Sequence, residues 1–273
     1  MRALQDTASL QPPGAHTSPA SVLAKAHLLL SAFSRGTTTL GLTELSRRSG
    51  VSKGSAHRLG MELVELGYLA RTPEGAYQLG WRMFELGQLV PGPASLRAVA
   101  RPALQDLRMA TGAVVQFAVP QGTECVYLER IAGRRELAVI GAVADRVPSY
   151  TTASGMLFLA YAGPQAAACL DHAALQVLGV MHHGELAAQF ARIRARRYAE
   201  ENSTCLRGFK AISAPVMFSW ADHVIASVSV TVPTTRKDDQ QLLHALWATA
   251  ADISRGLQRG VPRARPVGAV RTA

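Results

Sequence analysis

The chain has 273 residues, 48% of them hydrophobic, and a formal net charge of +10, which is long enough for two domains of ordinary size. Its three cysteines, Cys125, Cys169 and Cys205, are odd in number and far apart, which excludes a disulfide framework and a Cys-based zinc site. A signal peptide is excluded by the lack of a continuous apolar core in the first twenty residues, and a membrane span by the lack of eighteen consecutive apolar residues; a soluble cytoplasmic protein with no membrane partner is expected. The surplus charge is uneven: residues 21–82 carry +4, residues 83–254 carry +1 and the last nineteen carry +5.

In chain order, residues 1–20 hold Pro12, Pro13, Gly14 and Pro19 and are expected to be a disordered tail. A first helix is expected from Ser21 to about Ser34, with Ser21 as its cap. Val22, Leu23, Ala26, Leu29, Leu30 and Phe33 form its apolar stripe. Thr43 can cap a second helix that ends at Gly50, after Arg47, Arg48 and Ser49. Ser52 can cap a third helix, on which Ala56, Leu59, Leu63 and Leu66 recur at three- and four-residue spacing. Lys53, Ser55, His57, Arg58 and Met61 fall off that stripe, so the exposed face is basic at its N-terminal end. Two helices, a Gly-bearing turn and a basic second helix make a helix-turn-helix, which places its second helix in the DNA major groove.

Strand-like runs Tyr68–Arg71 and Ala76–Leu79 flank Thr72-Pro73-Glu74-Gly75, a sequence suited to a type I turn. They form the wing of a winged helix, with Arg71 near a phosphate. The unit spans residues 21–80. A linker helix begins at Trp81 and occupies 81–95, where Trp81, Phe84 and Leu89 are more apolar than a solvated linker needs; they either pack on the winged helix or meet a partner chain, and a dimer contact is the favoured assignment.

Residues 96–258 read as an α+β domain with an antiparallel sheet. A helix runs from Leu96 to Met109, with Val99, Pro102, Leu104 and Leu107 inward. Strands follow at 114–119, Glu124–Ile131 and Glu136–Val143, the first two joined by a turn at Pro120–Thr123. Helices are expected at Ser154–Ala162, Gln165–Ala174 and Glu185–Arg197, the last with Leu186, Phe190 and Ile193 inward and Arg192, Arg194, Arg196 and Arg197 outward. A hairpin of Ala211–Phe218 and His223–Val232 and a helix from Asp238 to Leu257 close the domain. The basic tail, 259–273, reads as composition or solubility rather than a second binding segment.

Two places in this domain can meet a ligand. On His223–Val232, strict alternation puts Val224, Ala226, Val228, Val230 and Val232 on one face, and Ile225, Ser227, Ser229 and Thr231 on the other. The hydroxyls face either water or a bound polar molecule. The run Thr151-Thr152-Ala153-Ser154-Gly155-Met156 opens a helix, where free N–H groups attract anions and Gly155 admits a ligand close to the backbone; an ordinary Ser/Thr cap is the competing reading. Catalytic and metal constellations are weak. Glu200 and Glu201 face different ways on a strand, His172, His182 and His183 lack companions at ligand spacing, and Ser154 is outside any Gly-x-Ser-x-Gly elbow. No catalytic residue, metal or cofactor is expected.

From about Ser21 to Leu257 the chain resembles IclR-type bacterial transcriptional regulators. Four motifs carry the resemblance: LTELSRRSGVSKGSAHRL with GYLARTPEGAYQLG; TGAVVQFAVPQGTECVYLERI; RVPSYTTASGMLFLAY; and RARRYAEEN followed by GFKAISAPVMF and VIASVSVTVP. The resemblance implies an N-terminal winged helix, a linker helix and a C-terminal GAF-like domain that binds a small effector. It further implies a homodimer or homotetramer on double-stranded DNA with a palindromic operator. Gly155 and Met156 match the family's helix-start effector site, Glu201 its acidic pocket position, and Ser229 and Thr231 its hydroxyl-bearing strand. Ala211 stands where a Cys is common, and Ser203 and Thr204 replace two frequent acids, which implies a roomier and less acidic pocket. Gly54 and Gly60 replace better helix formers, so the recognition helix is expected to be soft.

The resulting expectation is a transcription regulator, repressor or activator, controlled by a small carboxylate or aromatic acid. Thr43, Ser52, Lys53, Ser55, His57, Arg58 and Arg71 are assigned to DNA, and Ser154, Gly155, Met156, Glu201, Ala211, Ser229 and Thr231 to the effector. The competing expectation is a small-molecule enzyme or sensor whose winged helix mediates protein contacts.

Overall fold

Ser21 opens the first helix in the computed structural model of the chain, which describes residues 21–34, 36–90, 92–133, 146–163, 170–180, 182–202, 208–218 and 223–260. The expected tail at 1–20, the third strand at Glu136–Val143 and the tail beyond Gly260 lie outside these residues. The described chain falls into two compact units, divided after Val90.

In the first unit, helix α1 is Val22–Ser31, and Ser21 Oγ accepts from the Ala24 N–H at 3.0 Å. Leu29 is its fully buried residue, and Val22 and Leu23, expected inside, are 54% and 82% exposed. They sit in the first turn, beyond the reach of the small core below. After strand β1, Thr39–Leu40, helices α2 (Leu42–Ser49) and α3 (Lys53–Glu65) pack on α1 around Leu45, Ala56, Leu59 and Leu63. Gly50 ends α2 in the left-handed region at φ +68°, a conformation that costs glycine no Cβ clash.

The expected caps are corrected. The cap position of α2 is Gly41, leaving Thr43 exposed within the first turn. Ser52 does occupy the cap position of α3, but its hydroxyl bonds Ser55 Oγ at 3.1 Å rather than a backbone N–H. Leu66, expected on the buried stripe, is 62% exposed, because α3 has already ended at Glu65.

Strands β2 (Leu69–Arg71) and β3 (Tyr77–Leu79) form the expected hairpin, and the Gly75 N–H donates to Thr72 C=O at 2.9 Å across the turn. The periodicity gave no sign of β1, which completes a three-stranded sheet in the order β1-β3-β2. Helix α3 runs unbroken through Gly60 for 13 residues. A Cβ there would lie 3.1 Å from the ring of Tyr77, so glycine lets the helix seat against the β3 aromatic. Helix α4, Trp81–Gln88, buries none of its residues.

In the second unit, helix α5 (Pro93–Thr111) begins a turn earlier than expected, which leaves Pro102 inside the helix and exposed instead of inward near its start. A six-stranded antiparallel sheet follows, in the order β6-β5-β4-β9-β8-β7. Its strands are β4 (Val114–Gln121), β5 (Glu124–Ile131), β6 (Arg146–Pro148), β7 (Ala199–Asn202), β8 (Phe209–Phe218) and β9 (His223–Pro233). The β4–β5 turn is tighter than the expected four residues, since Gln121 already pairs with Glu124. The helices are α6 (Ala153–Tyr161), α7 (His172–Leu178), α8 (His183–Arg196) and α9 (Asp239–Gly260). A helix expected over Gln165–Ala174 is corrected to α7, which Asp171 caps by accepting from the Ala174 N–H at 2.9 Å; residues 165–169 lie outside the described chain.

Two cores lie on opposite faces of this sheet. The first packs Val115, Phe117, Ile212, Val228 and Val230 against Leu104 and Leu107 of α5 and Leu242 and Leu246 of α9. On the second face, α6 is buried from Ala153 to Ala160. A helix apolar on all sides requires cover on all sides, and here the sheet lies on one side and Leu186, Phe190 and Ile193 of α8 belong to the same core.

A bulge corrects the expected alternation on β9. Val216 pairs with Ala226 but Met217 pairs with Val224, leaving Ile225 as an extra residue. One inserted residue reverses facing, so Val224 joins the second core and Ile225 packs on the first.

Candidate functional site

In the first unit the face of α3 directed away from the core carries Lys53, His57 and Arg58, all exposed, with Ser55 half-buried beside them. Arg58 pairs with Glu62 at 2.6 Å, one turn on. Exposed i,i+4 pairs contribute only about 0.3–0.5 kcal/mol, so a stronger anion can take the guanidinium. Glu62 and Glu65 make the far end of α3 acidic, and the helix therefore presents cations at its N-terminal half only. On α2, Glu44 bonds both Arg47 and Arg48, and these contacts hold its carboxyl down to about 2. Arg71 lies on the hairpin, donating to Gly75 C=O at 2.8 Å with its guanidinium 5.3 Å from the Tyr77 ring centre. It is exposed but folded onto the wing rather than extended from it.

In the second unit the second face of the sheet is polar as well as buried. Cross-strand pairing aligns Ser213 with Ser229, Ser229 with Gln116 and Gln116 with Arg130, and directly paired residues share a face. A parallel row runs Glu201, Ala211, Thr231. The hydroxyls of Ser229 and Thr231 both reach Gln116 Oε1 at 3.5 Å, at the long limit of a hydrogen bond. Ser227, Ser229 and Thr231 are all buried, so these hydroxyls do not face bulk solvent. Ser154 Oγ lies 3.2 Å from Ser213 Oγ, linking α6 to the same row. Ser227 Oγ has no hydrogen-bond partner among the described residues.

Electrostatics on this face follow from burial. Burial pushes the Cys125 thiol up to about 12 and raises the Tyr127 phenol as well, with Cys125 and Glu201 adding to the effect on Tyr127. Cys125 is thus an inert, buried free thiol; Cys169 and Cys205 lie outside the described chain. Burial also pushes the Glu201 carboxyl up to about 8. At neutral pH it is mostly protonated and can donate as well as accept a hydrogen bond.

A cavity of about 500 Å³ opens beside Glu201, lined by residues of the 149–151 turn, α6, α7, α8 and β7. That volume lies within the usual range for small-molecule sites. Tyr150, Met156, Val177, Leu178 and Ile193 supply apolar wall, and Gln189, Arg192, Arg196, Glu200, Glu201 and Asn202 supply polar groups.

The structure divides the seven residues assigned to the effector. Met156 and Glu201 line the cavity; Ser154, Ala211, Ser229 and Thr231 do not, and sit on or against the sheet face behind it. Gly155 has a different use from the one expected. The space a Cβ would need is filled by the Ser149 carbonyl, so glycine seats α6 on the 149–151 turn rather than admitting a ligand. Its N–H is taken by Thr152 Oγ1 at 3.0 Å, which is the Ser/Thr cap. Ser203 and Thr204 lie outside the described residues. Sequence reasoning missed Arg192 and Arg196 as cavity residues, although their spacing with Gln189 and Ile193 places all four on one side of a helix. Among the described residues no group of His, Cys, Asp and Glu could hold a metal ion, and no helix is long and apolar enough to cross a membrane.

Comparison with known proteins accounts for both units. A family model described as the IclR helix-turn-helix domain matches residues 22–73, and one described as the bacterial transcriptional regulator IclR C-terminal domain matches 92–255. The regulator XynR of Escherichia coli is 28% identical over 221 residues, covering 79% of this chain and 87% of the relative. KdgR of Dickeya chrysanthemi is 27% identical over 219 residues, covering 78% and 72%. A crystal structure of an IclR homologue from Microbacterium hydrocarbonoxydans, complexed with 4-hydroxybenzoate, superposes with a TM-score of 0.76 at 24% identity, over 88% of this chain and 100% of that one. XynR and KdgR are HTH-type transcriptional regulators, and the chain belongs to the IclR family of bacterial transcriptional regulators.

Proposed function

We propose that the chain binds a palindromic operator as a homodimer or homotetramer and that a small carboxylate or aromatic acid in the second unit controls that binding. The cavity beside Glu201 is the observation that carries the reading. It joins apolar residues to charged groups, in a unit separate from the basic helix.

In this reading α3 enters the major groove by its N-terminal half, where Lys53, Ser55, His57 and Arg58 reach base edges and phosphates. Because Ser52 bonds Ser55 and not the backbone, the first N–H groups of α3 are available to a phosphate, which Thr43 on α2 and Arg71 on the wing can also contact. Self-association is supported by Trp81, Phe84 and Leu89, which are 79%, 58% and 76% exposed on one short stretch. Single exposed apolar residues are ordinary, but a cluster of this kind calls for a partner surface. The effector acts by binding one arrangement of the oligomer better than another. The relative bound to 4-hydroxybenzoate supports an aromatic acid as the class to try first.

A gel-shift on the intergenic DNA upstream of the gene tests this. A shifted band should survive unrelated competitor DNA, and Arg58→Ala should weaken it by about tenfold, the scale of one lost base contact. Equal binding to operator and competitor, or full affinity in Arg58→Ala, would sink the reading.

A further inference from the structure

Helix α8 places three arginines within two turns, and they are used differently. Arg194 donates to the Ala160 carbonyl at 2.6 Å and so ties α8 to the C-terminal end of α6. Arg192 and Arg196 are one turn apart and line the cavity. Among the described residues neither forms an ion pair.

We propose that Arg192 and Arg196 form a carboxylate clamp on the helical wall of this cavity. The ligand is then an organic acid with a ring-sized apolar body, its carboxylate on α8 and its far end towards Glu201. This rests on the reading of the second unit as an effector domain and goes beyond it in naming the group recognised and the residues that recognise it.

Three observations carry the clamp. Guanidinium is planar, always charged and offers paired donors that match a carboxylate. The charge balance of the lining favours an anion, since Glu201 is mostly protonated at neutral pH and the lining holds two arginines against one further acid, Glu200. The apolar lining of Tyr150, Met156, Leu178 and Ile193 suits an apolar body, and the polar lining comes from two separate elements, Arg192 and Arg196 from α8 and Glu201 and Asn202 from β7. A neutral ligand would fill the same wall but leave both guanidiniums without an anion.

Calorimetric titration of the full chain with benzoate, 4-hydroxybenzoate and their two amides tests the clamp. At least one acid should bind at least about tenfold more tightly than its amide, as expected for charge-assisted hydrogen bonds. Arg192→Gln with Arg196→Gln should abolish that preference while leaving amide binding within about twofold, and Arg192→Lys with Arg196→Lys should restore part of it. Both side chains are exposed, so the unliganded thermal midpoint should not move. Equal binding of acid and amide, an acid preference that survives the double Gln variant, or no binding of any acid would each overturn the clamp. Operator binding separates the two readings. Release by a neutral compound, unchanged in the double Gln variant, removes the clamp and leaves the effector reading intact; if no compound alters operator binding, both fall.

Discussion

Val228, Ser229 and Val230 are consecutive on β9, and all three are buried, yet they belong to different environments. The two valines enter a core of Val, Leu, Ile, Ala and Phe that α5 and α9 close completely. Ser229 enters a face where Gln116, Ser213, Ser227, Thr231, Tyr127 and Glu201 share space with the apolar residues of α6. Apolar groups are indifferent to which neighbour they meet, whereas each buried polar group needs a specific partner. The first face therefore stabilises the fold, and on the second the polar groups depend on one another, with the Ser227 hydroxyl left without a partner among the described residues.

That contrast can be broken, and the largest effect should come from the first face. Phe117 is fully buried there, and Phe117→Ala should cost about 3–5 kcal/mol in a denaturant titration. A loss below about 1 kcal/mol would mean that this core is not what holds the unit together.

The next effect concerns pH. The Glu201 carboxyl is raised to about 8 in the folded chain, above its value of about 4.3 when unfolded. Between those values the folded state holds a proton that the unfolded state has lost. Stability contributed by this group is thus complete below about pH 4 and declines as pH rises through 8. Glu201→Gln should flatten this part of the stability profile; an unchanged slope would show that the carboxyl is not buried in solution.

Smallest is Ser227→Ala on the second face. Its hydroxyl is buried with no partner among the described residues, so its removal should leave the unliganded chain unchanged or stabilise it by up to about 1 kcal/mol. A clear loss in thermal unfolding would show that the hydroxyl has a partner in the free protein.

The winged helix was largely legible because its signals are local. Helical spacing of Ala56, Leu59 and Leu63, a left-handed Gly50 and the Thr72–Gly75 turn each report on a few neighbouring residues. Ser229 and Thr231 were likewise assigned a common face by period-two alternation, and the pairing bears that out. The same alternation failed at Val224, because a bulge depends on the partner strand and leaves no mark on its own sequence. Gly155 misled for a related reason. Its missing Cβ is explained by the backbone of Ser149, and no local rule says which backbone will come near. The cavity was the least legible feature. Tyr150, Val177, Arg192 and Glu201 meet only once α6, α7, α8 and β7 have been assembled; Met156 was reached as the end of the helix-start run at Thr151, and Glu201 only through the family resemblance.

Gly60 bears on how a signal can reach DNA at all. Its bare α-carbon lies against the Tyr77 ring, so α3 and the β-hairpin interlock without a gap and cannot slide past each other without opening a void. Helix α3 and the hairpin then move as a single solid stamp. If the chain acts as proposed above, an effector has little to gain from reshaping the stamp, and the variable left to it is where the stamp of one copy stands relative to that of another.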